Sequence, residues 1–264
     1  MIEIFENFNP ILQAFIATMV TYGFTVLGSA LVYPFKNVNR SIMDAMLGMA
    51  GGLMIAASFF SLLSPAIEEA TALGQTAWFV ISIGFLLGGV LLFITDKISS
   101  HFLDRHPNAK EKKRIFMLLF SITIHNIPEG LVVGLAFGAL ATNSASASLT
   151  SACLLALGIG IQNFPEGSAL SIPMRRDGMS ANRAFFLGQI SGVVEPIAGV
   201  IGALLIIKIH FILPFALAFA AGAMIYVVVE EIIPESQTNK RKDLMALFTI
   251  IGFLIMMILD VALG

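Results

Sequence analysis

The sequence predicts an all-α integral membrane protein with eight transmembrane helices. Of its 264 residues, 57% are hydrophobic and 12% are charged, with a mean hydropathy of +0.90; an ordinary soluble domain has about 25% charged residues. Apolar runs of about 20 residues, long enough to cross a bilayer as a helix, recur along the chain. Because a backbone in hydrocarbon must satisfy its own hydrogen bonds, such runs favour helices over the shorter strands of a barrel.

Eight candidate spans are bounded by charged residues or by breaks rich in Gly, Pro and Asn. They cover approximately residues 10–34, 43–66, 76–96, 114–140, 147–173, 182–207, 211–234 and 243–263. The connections are short except for 97–113, which is predicted to be a polar cytoplasmic loop. No linker marks a second domain, so residues 1–264 are predicted to form one transmembrane domain.

The basic residues predict the orientation of the chain, because Lys and Arg are retained on the cytoplasmic side during insertion. All of the 15 basic residues except Lys208 fall in connections on one side of the predicted bundle. Both termini are therefore expected outside the cytoplasm. A wrong number of spans would scatter these residues between the two sides, so their distribution also supports eight.

Other features limit the class of protein. Cys153 is the only cysteine, which excludes an intrachain disulfide and a cysteine-rich metal site. The N-terminus has no basic residue before the first apolar run and does not resemble a cleaved signal peptide. The chain has no HExxH motif of an intramembrane metalloprotease, and we expect no enzymatic activity. We also expect no organic cofactor and no nucleic-acid partner.

Two similar polar motifs interrupt the fourth and fifth spans, HNIPEG at 125–130 and QNFPEG at 162–167. Pro128 and Pro165 each remove a backbone donor, so each helix is expected to kink and to leave a carbonyl oxygen available. The first and fifth residues of each motif lie four apart, on one face of a helix. These pairs are His125 with Glu129 and Gln162 with Glu166, accompanied by Asn126 and Asn163.

The two motif helices are predicted to run in opposite directions, which relates them by an approximate twofold axis in the membrane plane, as in transporters with inverted repeats. A third acid, Glu195, precedes Pro196 in the sixth span. Met54 in the second span could add a thioether ligand, although packing in the core explains a methionine equally well. A single proline motif could also be a structural hinge.

Repeated carboxylates in the membrane favour a cation as their partner. A carboxylate near the bilayer centre costs about 2.5–3.5 kcal/mol on insertion scales, and facing acids repel unless they are protonated or neutralised. No Lys or Arg lies within the eight apolar cores. Imidazole, carboxylate and amide oxygen together suit Zn(II), Fe(II), Mn(II) or Co(II), and a thioether moves the preference toward Cd(II). The expected cargo is therefore a divalent transition metal.

HNIPEG, QNFPEG and GQISGVVEP, in a chain of eight spans with both ends outside, resemble the ZIP (Zrt/Irt-like protein) metal transporters, in particular their bacterial and GufA-like branch. The resemblance covers essentially the whole chain. It implies a 3+2+3 inverted-repeat bundle in the plasma membrane. It also implies uptake of zinc, and of related metals such as Cd, Fe, Mn or Co, into the cytoplasm by alternating access.

The resemblance further implies a binuclear site. One metal would be held by Met54, His125, Glu129, Gln162 and Glu166; the second would share Glu129 and Glu166 and add Asn126, Asn163 and Glu195. Asn163 departs from relatives that have aspartate there, and Gln162 from relatives that have histidine. A homodimer is compatible with the sequence.

Further acidic residues fit a pathway for cations. Glu68, Glu69 and Asp260 could form an outer entrance, and Glu230, Glu231 and Glu235 a cytoplasmic exit, although each could equally be a solvated charge at a helix end. His101 and His106 in the polar loop are either a weak regulatory metal site or ordinary surface histidines.

Two other transport functions remain open at this stage. A carrier of an organic solute coupled to protons or sodium would also use kinked acidic helices, but the chain has no basic residue within its apolar cores to hold an organic anion. A selective channel is the other alternative. Its flux would not saturate at low metal concentration.

Overall fold

The computed structural model describes residues 5–35, 39–104, 110–142, 144, 147–238 and 241–263, with side chains at 99–118, 121 and 263 left aside. Within these residues the chain forms helices and no strand. Eight long helices follow one another along the chain: α1 Pro10–Ala30, α2 Arg40–Ala72, α3 Ala77–Asp104, α4 Lys110–Ala139, α5 Leu149–Arg176, α6 Ala181–Lys208, α7 His210–Ser236 and α8 Lys242–Leu263. The all-α class is thus confirmed.

Local sequence signals explain where several helices begin. The Asn9 side chain accepts a hydrogen bond from the Ile11 amide at the start of α1, and Pro10 occupies the first helical position, where no amide donor is needed. Asn39 caps α2 in the same way through the Ser41 amide, and Ser148 caps α5 through the Ser151 amide.

Three helices contain turns that are not α-helical. A π-helical segment covers Ser58–Leu63 in α2, and another covers Val228–Ile232 in α7. Each ends two residues before a proline, Pro65 or Pro234, where the missing amide donor already disturbs the i→i−4 ladder. In α6 a 3-10 turn, Ser191–Val193, comes immediately before the turn that contains Glu195.

The helices differ from the predicted spans mainly at their polar ends. α2 continues to Ala72 rather than ending near residue 66. Most of 97–113, predicted as a loop, has helical backbone, because α3 continues to Asp104 and α4 begins at Lys110. A hydropathy boundary marks where apolar residues end, whereas Lys and Glu are good helix formers that let a helix continue past that point.

Seven of the eight long helices are apolar enough to cross a membrane. The remaining one, α5, has 28 residues, which is long enough, but it contains the polar QNFPEG motif and ends in Arg175 and Arg176. Sixteen of its residues are buried, and they are distributed around the helix. Its polar groups therefore face protein neighbours, which explains why α5 is less apolar than the other seven helices although the sequence predicts it as the span 147–173.

The helices pack as two groups of four. The first bundle consists of α1, α4, α5 and α6, with its most extensive packing between α4 and α6 and between α1 and α5. The second bundle consists of α2, α3, α7 and α8, with its most extensive packing between α3 and α7 and between α2 and α8. The two bundles meet mainly where α2 faces α5 and where α7 faces α4.

Glycines allow the helix backbones to approach closely within each bundle. A Cβ atom on Gly134 of α4 would lie 2.0 Å from the Gly199 carbonyl oxygen of α6, and one on Gly222 of α7 would lie 1.9 Å from the Phe85 carbonyl oxygen of α3. Between the bundles, a Cβ atom on Gly158 of α5 would instead meet the flexible Met256 side chain of α8. Small residues that bring backbones together are typical of helix packing in membranes.

We expect Gly134→Ala to destabilise the protein by about 1–3 kcal/mol, because the added methyl group cannot fit without separating α4 from α6. Gly23→Ala is the matched control, since nothing lies within 4 Å of a Cβ at that helical position. The measurement is the Tm of both variants in detergent. Equal Tm values for the two variants would contradict the tight contact between α4 and α6.

Candidate metal centre

The polar residues of the two motifs lie inside the bundle. Relative exposure is 1% or less for Asn126, Glu129, Gln162 and Asn163, 7% for Glu166 and 9% for His125. Both α4 and α5 continue through the motif prolines, Pro128 and Pro165. The sequence-predicted stripe of oxygen and nitrogen donors is thus present on each helix and is enclosed by protein.

A direct hydrogen bond links the two motif helices. The Gln162 side-chain amide of α5 donates to Oε1 of Glu129 in α4, at 2.6 Å. This leaves Oε1 of Gln162 and Oε2 of Glu129 without a hydrogen-bond partner among the described atoms, although both are buried. Two oxygens with free lone pairs are therefore available at the contact between α4 and α5.

Glu195 joins this group from α6 and is fully buried. Its Oε2 accepts hydrogen bonds from the Thr21 hydroxyl at 2.5 Å and from the Asn163 amide at 2.9 Å, and its Oε1 lies 3.5 Å from the Thr25 hydroxyl. Glu195 thus connects α6 to α1 and α5. Thr21 and Thr25 were missed by the sequence analysis, although Thr18, Thr21 and Thr25 already form a polar stripe on an otherwise apolar helix.

The centre contains an unusual number of buried oxygens that accept no hydrogen bond within the described protein. They are Asn126 Oδ1, Glu129 Oε2, Gln162 Oε1, Asn163 Oδ1 and Glu166 Oε1. Buried polar atoms are nearly always hydrogen-bonded, and leaving one unpaired costs about 1–3 kcal/mol. Carboxylate and amide oxygens with free lone pairs have the chemistry of cation ligands.

Two of the predicted ligands, Met54 and His125, also contact residues outside the two motifs. Met54 of α2 is buried in the main apolar core. Nδ1 of His125 lies 3.3 Å from Oε2 of Glu231 in α7. Among the residues that the structure describes, no three His, Cys, Asp or Glu side chains are grouped closely enough to hold one ion. The cluster around Glu129 and Glu195 is instead built largely from amide and hydroxyl groups.

The acidic residues predicted as an entrance have three different environments. Glu68 is exposed, whereas Glu69 is 1% exposed. The Ser144 hydroxyl donates to Oε2 of Glu69 at 2.6 Å, and Nε2 of His210 lies 3.0 Å from its Oε1. Asp260 of α8 accepts hydrogen bonds from the Ser61 hydroxyl of α2, at 2.8 Å and 3.0 Å. His210 and Ser144 were not identified from the sequence.

At the opposite end of α7, the acids predicted as an exit also differ. Glu230 is exposed and Glu231 is partly buried beside His125. Glu235 forms an ion pair with Arg40 of α2, at 2.5 Å. The expectation for His101 and His106 concerns side chains outside the described part of the chain.

A cavity of about 50 Å³ lies between the bundles. Its lining includes Ser144, Ser148 and Ser151 on the side of the first bundle, and Pro65, Leu213 and Leu217 on the side of the second. Ser144 also contacts Glu69, so the cavity and the Glu69 contact lie at the same end of the interface.

A bundle of long apolar helices around buried carboxylates, amides and a histidine defines a multi-pass membrane protein with a polar centre. The family model described as "ZIP Zinc transporter" matches residues 104–260. The chain belongs to this family.

Relatives match the chain along most of its length. It is 37% identical to "Zinc transporter ZIP11" of Homo sapiens, an alignment that covers 98% of this chain and 99% of the relative. It is 34% identical to "Zinc transporter GufA" of Myxococcus xanthus, covering 94% and 98%. It is also 32% identical to "Zinc transporter ZIPB" of Bordetella bronchiseptica, covering 98% and 84%.

Proposed function

We propose that this protein transports divalent transition-metal ions, zinc first among them, across the plasma membrane into the cytoplasm. The observation that carries the proposal is the group of buried carboxylate and amide oxygens on α4 and α5 that lack hydrogen-bond partners among the described atoms. A cation held by these oxygens would stabilise charges that hydrocarbon cannot. The names of the relatives add zinc as the expected cargo.

The ion would bind at two adjacent positions. The primary position uses Met54, His125, Glu129, Gln162 and Glu166, and the auxiliary position uses Glu129 and Glu166 together with Asn126, Asn163 and Glu195. Imidazole is a better ligand than a neutral amide for borderline metals such as zinc. The primary position should therefore fill first, and Glu129 and Glu166 would bridge the two.

Eight spans with both termini outside the cytoplasm are part of the proposal. In support of it, Arg40 lies at the start of α2, Lys97 near the end of α3 and Arg175 at the end of α5. Helices that alternate in direction bring these ends to one side, which the distribution of basic residues identifies as cytoplasmic.

Transport would proceed by alternating access, with one bundle moving against the other. All proposed ligands except Met54 belong to the first bundle, so its movement would take most of the centre with it. Close backbone contacts at glycines hold the helices within each bundle, whereas polar contacts such as Glu69 with Ser144 and His125 with Glu231 join the two. Single polar contacts of this kind can break and re-form more readily than close backbone packing.

A 3+2+3 inverted repeat is consistent with these bundles. The π-helical segments occur in α2 and α7, which are equivalent helices when the first three and last three helices are related by inversion. Each segment precedes a proline by two residues. Inversion would place one π-helical segment toward each side of the membrane. During transport, the two bundles would separate first on one side and then on the other.

Glu166→Gln should reduce zinc uptake into proteoliposomes to near background, because it removes one of the two acids proposed to bridge both ions. Glu6→Gln is a matched control, since this acid, which precedes α1, is exposed and is assigned neither to the centre nor to the predicted pathway. Radiolabelled zinc uptake with competing Cd, Mn, Fe and Co would also rank the metals. Wild-type uptake by a folded Glu166→Gln variant would rule out the proposed centre.

His125→Ala should weaken zinc binding and transport much more than Asn163→Ala, because it removes the imidazole of the primary position. We expect at least a tenfold loss of affinity for His125→Ala, about 1.4 kcal/mol, and measurable transport with altered rate or metal preference for Asn163→Ala. Zinc titration and vesicle uptake of both variants provide the test. Equal damage would mean that both ions are required together.

Topology can be tested with single cysteines in a Cys153→Ser background, since Cys153 is itself exposed. Thr76→Cys, between α2 and α3, should react with an impermeant thiol reagent in intact cells. Ser180→Cys, between α5 and α6, should react only after the cytoplasmic side is opened. Both positions are exposed in the structure. The opposite labelling pattern would reverse the proposed orientation.

A further inference from the structure

The three acids of the centre differ in how their oxygens are used. Glu129 and Glu166 each have a buried oxygen without a hydrogen-bond partner among the described atoms. Both oxygens of Glu195 face donors, Thr21 and Asn163 at Oε2 and Thr25 at Oε1. Charge-assisted hydrogen bonds of this kind are roughly twice as strong as neutral ones. Glu195 is thus the acid of the three that faces the most donors, whereas Glu129 accepts one hydrogen bond, from Gln162.

Glu195 is also tightly enclosed. A Cβ atom on Gly192, in the 3-10 turn before Glu195, would lie 3.1 Å from Oε1 of Glu195 and 3.2 Å from Cβ of Thr25. A Cβ atom on Gly130 would meet the Glu195 backbone at 2.4 Å. Glycine at these two positions lets α1 and α4 approach α6 closely enough to form this enclosure.

The charges of the centre favour one divalent ion over two. Glu129, Glu166 and Glu195 supply three negative charges, and the apolar cores contain no Lys or Arg. One divalent ion leaves a single negative charge and two leave a single positive charge, and the donors that face Glu195 stabilise only the negative one. One ion balances Glu129 and Glu166, while Thr21, Thr25 and Asn163 stabilise the remaining charge on Glu195.

We propose that Thr21 is a positioning residue that, together with Asn163, holds Glu195 in hydrogen bonds. As a result, the centre carries one divalent ion, and its auxiliary position stays unfilled at the zinc concentration that saturates the primary position. This inference rests on the proposed function. It adds that α1, which contributes none of the proposed ligands, acts together with Asn163 of α5 to set how many ions bind.

The geometry at Thr21 shows how its hydrogen bond would compete with a second ion for Oε2 of Glu195. The Thr21 hydroxyl lies 2.5 Å from Oε2 of Glu195 and 2.9 Å from the Thr18 carbonyl oxygen. Its single hydrogen can serve only one of these acceptors at a time. Oε2 has two lone pairs and both already accept a hydrogen bond, so a second ion that takes Oε2 as a ligand must displace either this hydroxyl or the Asn163 amide.

The test counts zinc ions bound per chain by equilibrium dialysis of the purified protein at a fixed free zinc concentration. The wild type should bind one ion. Asn163→Asp should bind two, because it replaces a donor to Glu195 with a fourth acid.

In the Asn163→Asp background, Thr21→Val should tighten binding of the second ion by about tenfold, since a hydrogen bond to a charged group no longer competes for Glu195. Thr21→Ser should restore the affinity of the Asn163→Asp protein. Thr18→Val is the matched control: it lies one turn away on α1, is equally buried, and bonds to the Ala14 carbonyl oxygen rather than to Glu195.

Two equivalents bound by the wild type would overturn the inference and leave the transport proposal intact. So would unchanged second-ion affinity in the Thr21→Val, Asn163→Asp variant. Absence of zinc binding by the wild type would overturn both proposals. A fall in Tm shared by the Thr18→Val and Thr21→Val variants reports on packing, whereas only the stoichiometry and second-ion affinity report on Glu195.

Discussion

The burial of three carboxylates in an apolar bundle is the constraint on which the rest of this structure depends. Glu129 and Glu195 are fully buried and Glu166 nearly so, and the sequence provides no basic residue in the surrounding apolar cores. Each acid must be protonated, or its charge must be stabilised by dipoles, by hydroxyl groups or by a bound cation. Gln162, Asn163 and Thr21 are placed to meet part of this requirement.

The same constraint accounts for how the helices are assembled. Carboxylates from α4 and α6 can reach donors on α1 and α5 only if these four helices approach closely, and glycines such as Gly134 permit that approach. The second bundle contributes little polar chemistry to the centre and contacts the first through α2 and α7. Packing is thus closer within each bundle than between them, which is compatible with the proposed movement of one bundle against the other.

The irregular turns lie at the contact between the two bundles and beside Glu195. The π-helical segments of α2 and α7 lie in the two helices that face the first bundle, and the 3-10 turn of α6 adjoins Glu195. Each departs from the regular hydrogen-bond ladder without interrupting the helix. Pro65 and Pro234 thus lie beside irregular turns at the contact between the bundles, and Gly192 lies in the irregular turn beside Glu195.

The sequence by itself determined the all-α class, the positions of the long helices and the identity of the two polar motifs. These depend on composition, on runs of apolar residues and on the fixed spacing of side chains along a helix. It did not predict the helical extensions of α3 and α4, because helices outside hydrocarbon need no apolar sequence.

Only the tertiary structure showed that Thr21 and Thr25 contact Glu195, that His125 lies beside Glu231, and that Glu69 contacts Ser144. These pairs are distant in sequence, and threonine or serine in a membrane helix carries no signal of its partner. Periodicity shows which residues share a face, whereas the packing of helices determines what that face meets.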